Sequence, residues 1–222
     1  MLFGDSVVVT VFIWIVIALA GLFFCIFVVQ RIVKHYVHYP IPAFAVRFID
    51  NPLRRWLQPP KEVVGWMGVR EGMSVLEIGP GPGTFTFEAA KRVGEQGRFF
   101  AIDIQPSIIS ALDRRLRAKG VRNAFTGVAS AHSLPFSGNV FDRVFMVGVL
   151  GEIPDKSKTL LEAKRVLRED GLLAIGEILP DPDYPRRKSV IGWCSDSGLE
   201  FVAAHGGVIH YLLTFKKRVS AK

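Results

Sequence analysis

Residues 73–90, MSVLEIGPGPGTFTFEAA, restrict the fold of this chain more than any other stretch. Val75, Leu76 and Ile78 form a short apolar, β-favouring run that stops at three alternating glycines, Gly79, Gly81 and Gly83. From Thr84 onward, TFTFEAAKRV has helical spacing and carries Glu88 and Lys91 on its polar face. The pattern predicts a strand, a tight glycine turn and a helix. Glycine has no Cβ, so the backbone can turn sharply and approach a ligand closely, and the helix N-terminus presents its free N–H groups to that ligand. A nucleotide-like molecule is the expected occupant. A bare βα turn without a ligand is the alternative.

The spacing narrows the choice. A dinucleotide fingerprint, G-x-G-x-x-G, would need glycine at position 84 or 86, and both are threonine. A phosphate-binding P-loop would need Gly-Lys-Ser/Thr after the turn, and none follows. What stands here is Glu77-x-Gly79-x-Gly81-x-Gly83. Residues 98–104, RFFAIDI, read as a second strand that brings Asp103 to its end. A carboxylate at the C-terminal end of such a strand can take both hydroxyls of a ribose.

A second constraint lies at the N-terminus. Residues 7–29, VVVTVFIWIVIALAGLFFCIFVV, carry no charge. At about 1.5 Å per residue a helix of that length covers roughly 35 Å, enough to cross a hydrocarbon core of about 30 Å. The expectation is a transmembrane anchor over residues 1–30. MLFGDS before it has no Lys or Arg and no A-x-A site follows, which argues against a cleaved signal peptide. Asp5 precedes the run, whereas Arg31 and Lys34 follow it, so the positive-inside rule places the N-terminus outside and the remainder in the cytoplasm. Cys25 and Cys194 are too differently placed to be an expected disulfide pair.

Residues 31–70 are basic and aromatic: Arg31, Lys34, Arg47, Arg54, Arg55, Lys61 and Arg70 face only Asp50 and Glu62, with Phe44, Phe48, Trp56 and Trp66 between them. Such a segment suits the headgroups of an anionic leaflet, or packs on the following domain with its charges solvated. Asn51-Pro52 is a helix start and Pro59-Pro60 its end. The formal net charge of +8 would also suit nucleic acid. No RNA-binding motif accompanies it, and no nucleic-acid partner is expected.

Beyond the glycine turn the pattern alternates between strand and helix. Residues 107–119 read as an amphipathic helix capped by Ser107 and stopped by Gly120. Residues 124–129 and 141–148 read as the third and fourth strands, and Asp155 as the cap of a helix over 156–168. Gly171 ends that helix, residues 172–178 form the fifth strand, Trp193 sits on a short helix, and residues 201–215 close as an antiparallel hairpin about Gly206-Gly207.

The succession LEIGPGPG, AIDI, LPF, FDRVFMVGVLGEIPD and LLEAKRVLREDGLLAIGEI resembles the quinone-biosynthesis-like branch of the class I S-adenosylmethionine (SAM) methyltransferases, over about residues 61–217. The resemblance implies an α/β, Rossmann-like sheet of seven strands ordered 3-2-1-4-5-7-6, the seventh antiparallel, with helices on both faces. It implies SAM as cofactor. Glu77, Gly79, Gly81, Gly83 and Thr84 would line its methionine end, Asp103 its ribose, and Ile104, Ser130, Ala131 and Val147 the rest of the molecule. Members of the family usually carry Asp-Ala before the LPF element, where this chain has Ser130-Ala131.

The domain expectation is an anchor over 1–30, a juxtamembrane segment over 31–60 and a methyltransferase domain over 61–222. The acceptor is expected to be a small or membrane-associated molecule, a lipid headgroup or quinone-like compound. Glu152 and Asp155, next to the ligand-side strand ends, are the catalytic candidates, with His132, Asp183, Tyr184 and Tyr211 also conceivable bases. Tyr184 and Lys188 form Y-x-x-x-K, but Pro185 disfavours helix there and the nucleotide turn does not suit NAD. His35-x-x-His38 lacks further partners for a metal. A tethered SAM-binding protein without efficient catalysis and a nicotinamide-dependent oxidoreductase are the competing readings.

Overall fold

A computed structural model describes residues 2–36, 50–179 and 181–218; along the first helix the side chains described are those of residues 8–19, 21, 22, 24, 25, 28 and 29. The chain divides into two compact units, Met1–Tyr39 and Pro40–Lys222. The first contains the helix α1 (Leu2–Tyr36). Most of its described apolar side chains, among them Phe12, Trp14 and Phe24, are exposed. Among the described residues no helix is long and apolar enough to cross a membrane. The transmembrane helix expected over residues 7–29 is therefore not found among them. Phe44, Arg47 and Phe48 of the expected juxtamembrane segment, and His38, lie outside the described residues.

The second unit runs α2 (Pro52–Leu57), α3 (Pro60–Trp66), β1 (Ser74–Ile78), α4 (Thr86–Val93), β2 (Arg98–Asp103), α5 (Pro106–Ala118), β3 (Ala124–Val128), β4 (Phe141–Val147), α6 (Lys156–Val166), β5 (Leu167–Ile178), α7 (Arg187–Asp196), β6 (Leu199–Gly206) and β7 (His210–Lys217). The seven strands form one sheet in the order β3-β2-β1-β4-β5-β7-β6. Neighbours are parallel from β3 to β5, and β7 runs antiparallel to both β5 and β6. The order and the antiparallel seventh strand are those implied by the resemblance.

Side-chain alternation builds the core on both faces. Val75, Phe99, Phe145, Ala174 and Leu212 point to one side, where they pack against Val63, Val64 and Met67 around α3, Ala89 and Val93 of α4, and Leu112 and Leu116 of α5. Leu76, Val144, Met146, Leu173, Ile175, Leu213 and Phe215 point to the other, against Leu160 and Ala163 of α6 and Val190 and Cys194 of α7. At about 25 cal/mol per Å² of apolar area removed from water, these two layers are the main stabilising term.

Several boundaries differ from the sequence reading. The helix expected from Thr84 starts at Thr86, because residues 81–85 complete the glycine turn. Pro106, not Ser107, opens α5, its missing N–H costing nothing at the first helical position; Gln105 is the N-cap and makes no side-chain cap bond. The strand expected at 172–178 begins five residues earlier, and Gly171 lies inside it. Leu167 pairs with Phe141, and a register shift between Phe141 and Arg143 accommodates the extension. The caps at Asn51 and Asp155 form as expected, each carboxamide or carboxylate oxygen accepting from the backbone N–H three residues on at 2.9 Å. The short helix α3 beyond Pro59-Pro60 was not anticipated.

Phe145 is fully buried at the middle of β4, its ring centroid 6.1 Å from that of Phe99. Truncating Phe145 to alanine is expected to lower unfolding stability by about 3–5 kcal/mol. Urea denaturation followed by far-UV circular dichroism reads it.

Candidate functional site

β1 lies between β2 and β4, and its end is where the glycine turn begins. Gly79 N–H donates to Ile102 O at 2.8 Å, and Gly83 N–H to Pro80 O at 2.9 Å, which closes the turn. Gly79, Gly81 and Gly83 have φ of 71°, 52° and 84°. A Cβ at Gly79 would come within 2.5 Å of Val149 Cγ2, and one at Gly83 within 2.7 Å of Leu112 Cδ1. Two of the three positions are thus closed to a side chain by sterics as well as by backbone conformation. The turn delivers the chain to the N-terminus of α4, where Phe85 offers no capping side chain.

Glu77 does not face the open side of this turn. It is buried, and Thr86 Oγ1 donates to its Oε2 at 2.5 Å. Burial pushes its carboxyl up to about 8, against the Thr86 hydrogen bond, which pulls it down. Glu77 is therefore a strut between β1 and α4 beneath the glycine loop. Thr84 is also buried. The Asp50 carboxylate acts on Thr84 at close range, yet the Thr84 hydroxyl has no well-aligned hydrogen-bond partner. Burial raises the Asp50 carboxyl, but the Arg55 hydrogen bond and charge, with Thr84 and Arg115, outweigh it and hold it below its ordinary value.

Asp103 ends β2, and one carboxylate oxygen accepts from Gln105 N at 2.9 Å. Burial moves its carboxyl upward, partly offset by the backbone N–H groups of Gln105 and Ile104. Ile104 beside it leaves the strand and is 61% exposed, an apolar surface with no core to fill. Ala129 N–H donates to Asp103 O at 3.0 Å, which ties the Ser130-Ala131 loop after β3 to the same end of the sheet. Ser130 Oγ accepts from His132 N at 3.2 Å. Val147, the last residue of β4, is nearly buried. The structure thus gathers Gly79, Gly81, Gly83, Thr84, Asp103, Ile104, Ser130, Ala131 and Val147 along the C-terminal ends of four adjacent strands, where open α/β sheets bind their ligands.

A second group of polar residues stands one strand further on, at the ends of β4 and β5. Glu177 is 1% exposed. Burial drives its carboxyl well up, reinforced by the charges of Asp181, Glu152 and Asp183 and opposed by Arg54. Arg54, on α2, is turned inward. Burial lowers it, while Asp181, Asp50 and Glu177 sustain its charge. Its Nη2 lies 3.6 Å from where a Cβ of Gly148 would stand. Gln58 Nε2 donates to Glu177 O at 3.3 Å.

Of the two catalytic candidates, Glu152 belongs to this second group. Asp155 is committed to capping α6 through Lys158 N. Arg54, for which headgroups or solvent were the expected surroundings, faces protein instead. Neither Arg54 nor Glu177 stood out as a site residue in sequence. The one available signal was an acid, Glu177, among the apolar residues ending a strand.

Comparisons with known proteins agree with this geometry. The methyltransferase-domain family matches residues 69–195. The chain is 36% identical over 111 residues to the ubiquinone/menaquinone biosynthesis C-methyltransferase UbiE of Idiomarina loihiensis, covering 50% of this chain and 44% of that protein. It is 34% identical over 143 residues to the protein of the same name from Francisella tularensis subsp. novicida, covering 64% of this chain and 57% of the relative. The chain thus spans about half the length of the curated relatives it matches. Among solved structures, a SAM-dependent methyltransferase from Aquifex aeolicus superposes with a TM-score of 0.75 at 25% identity, over 79% of this chain and 98% of that one. The [4+2]-cyclase SpnF shares the fold alone, with a TM-score of 0.64 at 15% identity, over 72% of this chain and 80% of that one.

The buried Glu77 carboxyl has a pH signature. Its folded value, about 8, lies above its ordinary 4.5, so its contribution to stability is complete below the lower value and is lost as pH rises through the higher. Glu177 acts with the same sign. The ligand-free protein is expected to lose denaturant resistance from roughly pH 5 to pH 9, and Glu77→Gln to flatten that decline. Denaturant midpoints of the two proteins across this range are the check.

Proposed function

From the premise that this chain belongs to the methyltransferase-domain family and is a SAM-dependent methyltransferase, we propose that it methylates carbon on a quinone-like acceptor dissolved in a membrane. Glycine turn and ribose-type aspartate on the neighbouring strands β1 and β2 carry the cofactor half of this reading. The similarity to two ubiquinone/menaquinone biosynthesis C-methyltransferases supports the acceptor half.

The residues present fit SAM. The side-chain-free backbone of Gly79 to Gly83 leaves room for the methionine portion, next to the buried Thr84 hydroxyl that lacks an aligned partner. Asp103 has one oxygen held by Gln105 N–H, and its carboxylate would take the ribose hydroxyls. Ile104, exposed at the end of β2, would give adenine an apolar face, with the Ser130-Ala131 loop on the neighbouring strand end in place of an aspartate. When bound, SAM supplies a methyl group on a positively charged sulfur. The work of the chain is then to position the acceptor and exclude water.

The membrane part of the proposal rests on sequence. Residues 7–29 are uncharged, α1 extends over Leu2–Tyr36, and most of its described apolar side chains are exposed. An anchor over residues 1–30, a juxtamembrane segment over 31–60 and a methyltransferase domain over 61–222 would bring the enzyme to a lipid-dissolved acceptor. The N-terminus would lie outside and the domain in the cytoplasm, where SAM is available.

Two outcomes are expected. Asp103→Ala should weaken SAM binding by about 1–3 kcal/mol, the range for a hydrogen bond to a charged group, in isothermal titration calorimetry. An unchanged affinity in a folded variant would remove the ribose assignment. Protease added to sealed right-side-out vesicles should leave residues 31–222 intact, and digestion of the domain from outside would reverse the proposed topology.

A further inference from the structure

The turn joining β6 to β7 exposes apolar side chains, yet each of its four carbonyl groups has a donor within the protein. Val208 is 81% exposed and Ile209 52%, where tight turns ordinarily carry glycine, asparagine, aspartate or serine. Behind them, Arg187 Nη2 donates to Gly206 O at 2.9 Å and also to Gly207 O. Tyr184 Oη donates to Val208 O at 2.8 Å, and Leu179 N–H to Ile209 O at 2.7 Å. Gly207 N–H closes the turn on His210 O at 2.8 Å.

A turn that stays in water has no need of this, because water satisfies its carbonyl groups. A turn that enters a water-poor phase does need it, since an unmet backbone group there is expensive. The donors are themselves held in place. The Arg187 guanidinium lies 5.3 Å from the centroid of the buried Tyr211 ring, and the Tyr184 ring stands 5.5 Å from the same centroid. On the opposite face of the hairpin, Trp66 stacks on His205 and His210 with ring centroids 5.4 and 6.0 Å apart. The tip is thus rigidly backed and apolar at its front.

Its position ties it to the ligand side of the sheet. His210 pairs with Ile178, the last residue of β5, so the tip projects from the C-terminal ends of the parallel strands. α2 lies at the same end, its C-cap Gln58 donating to Glu177 O at 3.3 Å, and its Leu53 and Trp56 are exposed. Cations accompany these groups: Arg55 of α2, and Arg186 and Lys188 on either side of Arg187, are exposed. The acids of the loop after β5, Asp181 and Asp183, are half-buried.

We propose that the β6–β7 tip, together with Leu53 and Trp56 of α2, docks into the headgroup region of an anionic bilayer and turns the ligand-binding end of the sheet toward the lipid. Two aliphatic side chains on a tip fall well short of the roughly 800 Å² per partner of a stable protein interface. Insertion among headgroups requires no matching shape, and exposed tryptophan and arginine suit that layer. The inference goes beyond the reading above. It draws on neither the anchor over residues 1–30 nor the identity of the acceptor.

The test uses the full chain with Cys25→Ser, so that a thiol label goes to an introduced cysteine, Cys194 being buried. One protein carries Val208→Cys. A control carries Gln96→Cys, exposed in the turn before β2 at the other end of the sheet. Each receives an environment-sensitive nitrobenzoxadiazole label and is mixed with phosphatidylglycerol–phosphatidylcholine vesicles, with and without nitroxide-bearing lipid. Emission from position 208 should shift to the blue and be quenched by the nitroxide, and emission from position 96 should do neither. Ile209→Asp in the Val208→Cys protein should abolish the shift, and vesicles of phosphatidylcholine alone should weaken it. A label at 208 that stays aqueous while the chain floats with the vesicles would overturn the inference and leave the anchor as the tether. The same result with a chain that does not float would overturn the anchor as well. Equal responses at both positions would also overturn it. So would a blue shift without vesicles in a chain whose light scattering gives a dimer's mass, which would assign the tip to a second copy.

Discussion

Parallel pairing of β1 with both β2 and β4 is the constraint on which the rest of this domain depends. β1 has five residues, yet its register with β2 puts Glu77 opposite Ala101, and its register with β4 puts Glu77 opposite Phe145. The central position forces the chain leaving β1 to turn at once over the sheet end. With Val149 and Leu112 already crowding that turn, only glycines at positive φ complete it. The same pairing places Asp103 and Gly148 on either side of the glycine turn, so strand order sets which side chains flank it.

Two buried glutamates are held in different ways. Glu77 and Glu177 are both driven toward the protonated form by burial, but their surroundings differ. Glu77 has a hydroxyl partner in Thr86 and no charged neighbour of note, which suits a strut. Glu177 stands among three carboxylates and a guanidinium with one oxygen unmet, so charges rather than a single hydroxyl set its protonation. Burial alone would not separate them; the partners do.

The basic segment before the first strand shows how one stretch can serve two ends. Asn51 caps α2 and Arg55 chelates Asp50 at 2.7 Å through two donors, so the helix is pinned from its start. Neighbouring arginines on so short a helix point in different directions. Arg55 is half exposed against Asp50, while Arg54 reaches the ends of β4 and β5. A tally of positive charge treats them alike, whereas the helix gives them separate environments.

Local chemistry made much of this protein legible in advance. The glycine spacing, the aspartate ending β2, the caps at Asn51 and Asp155 and the closing hairpin depend on residues close in the chain, and the strand order followed from the family resemblance they carried. The start of α4, the early start of β5 through Gly171 and the cover formed by α2 and α3 depend on what the segment packs against, which no window of sequence contains. The inward turn of Arg54 toward Glu177, across more than a hundred residues, belongs to the same class. Sequence determined which chemical groups are available and how the chain turns locally. Tertiary structure decided which groups share a dry site, because burial and the partners found there set whether a carboxyl braces a helix or stands among charges.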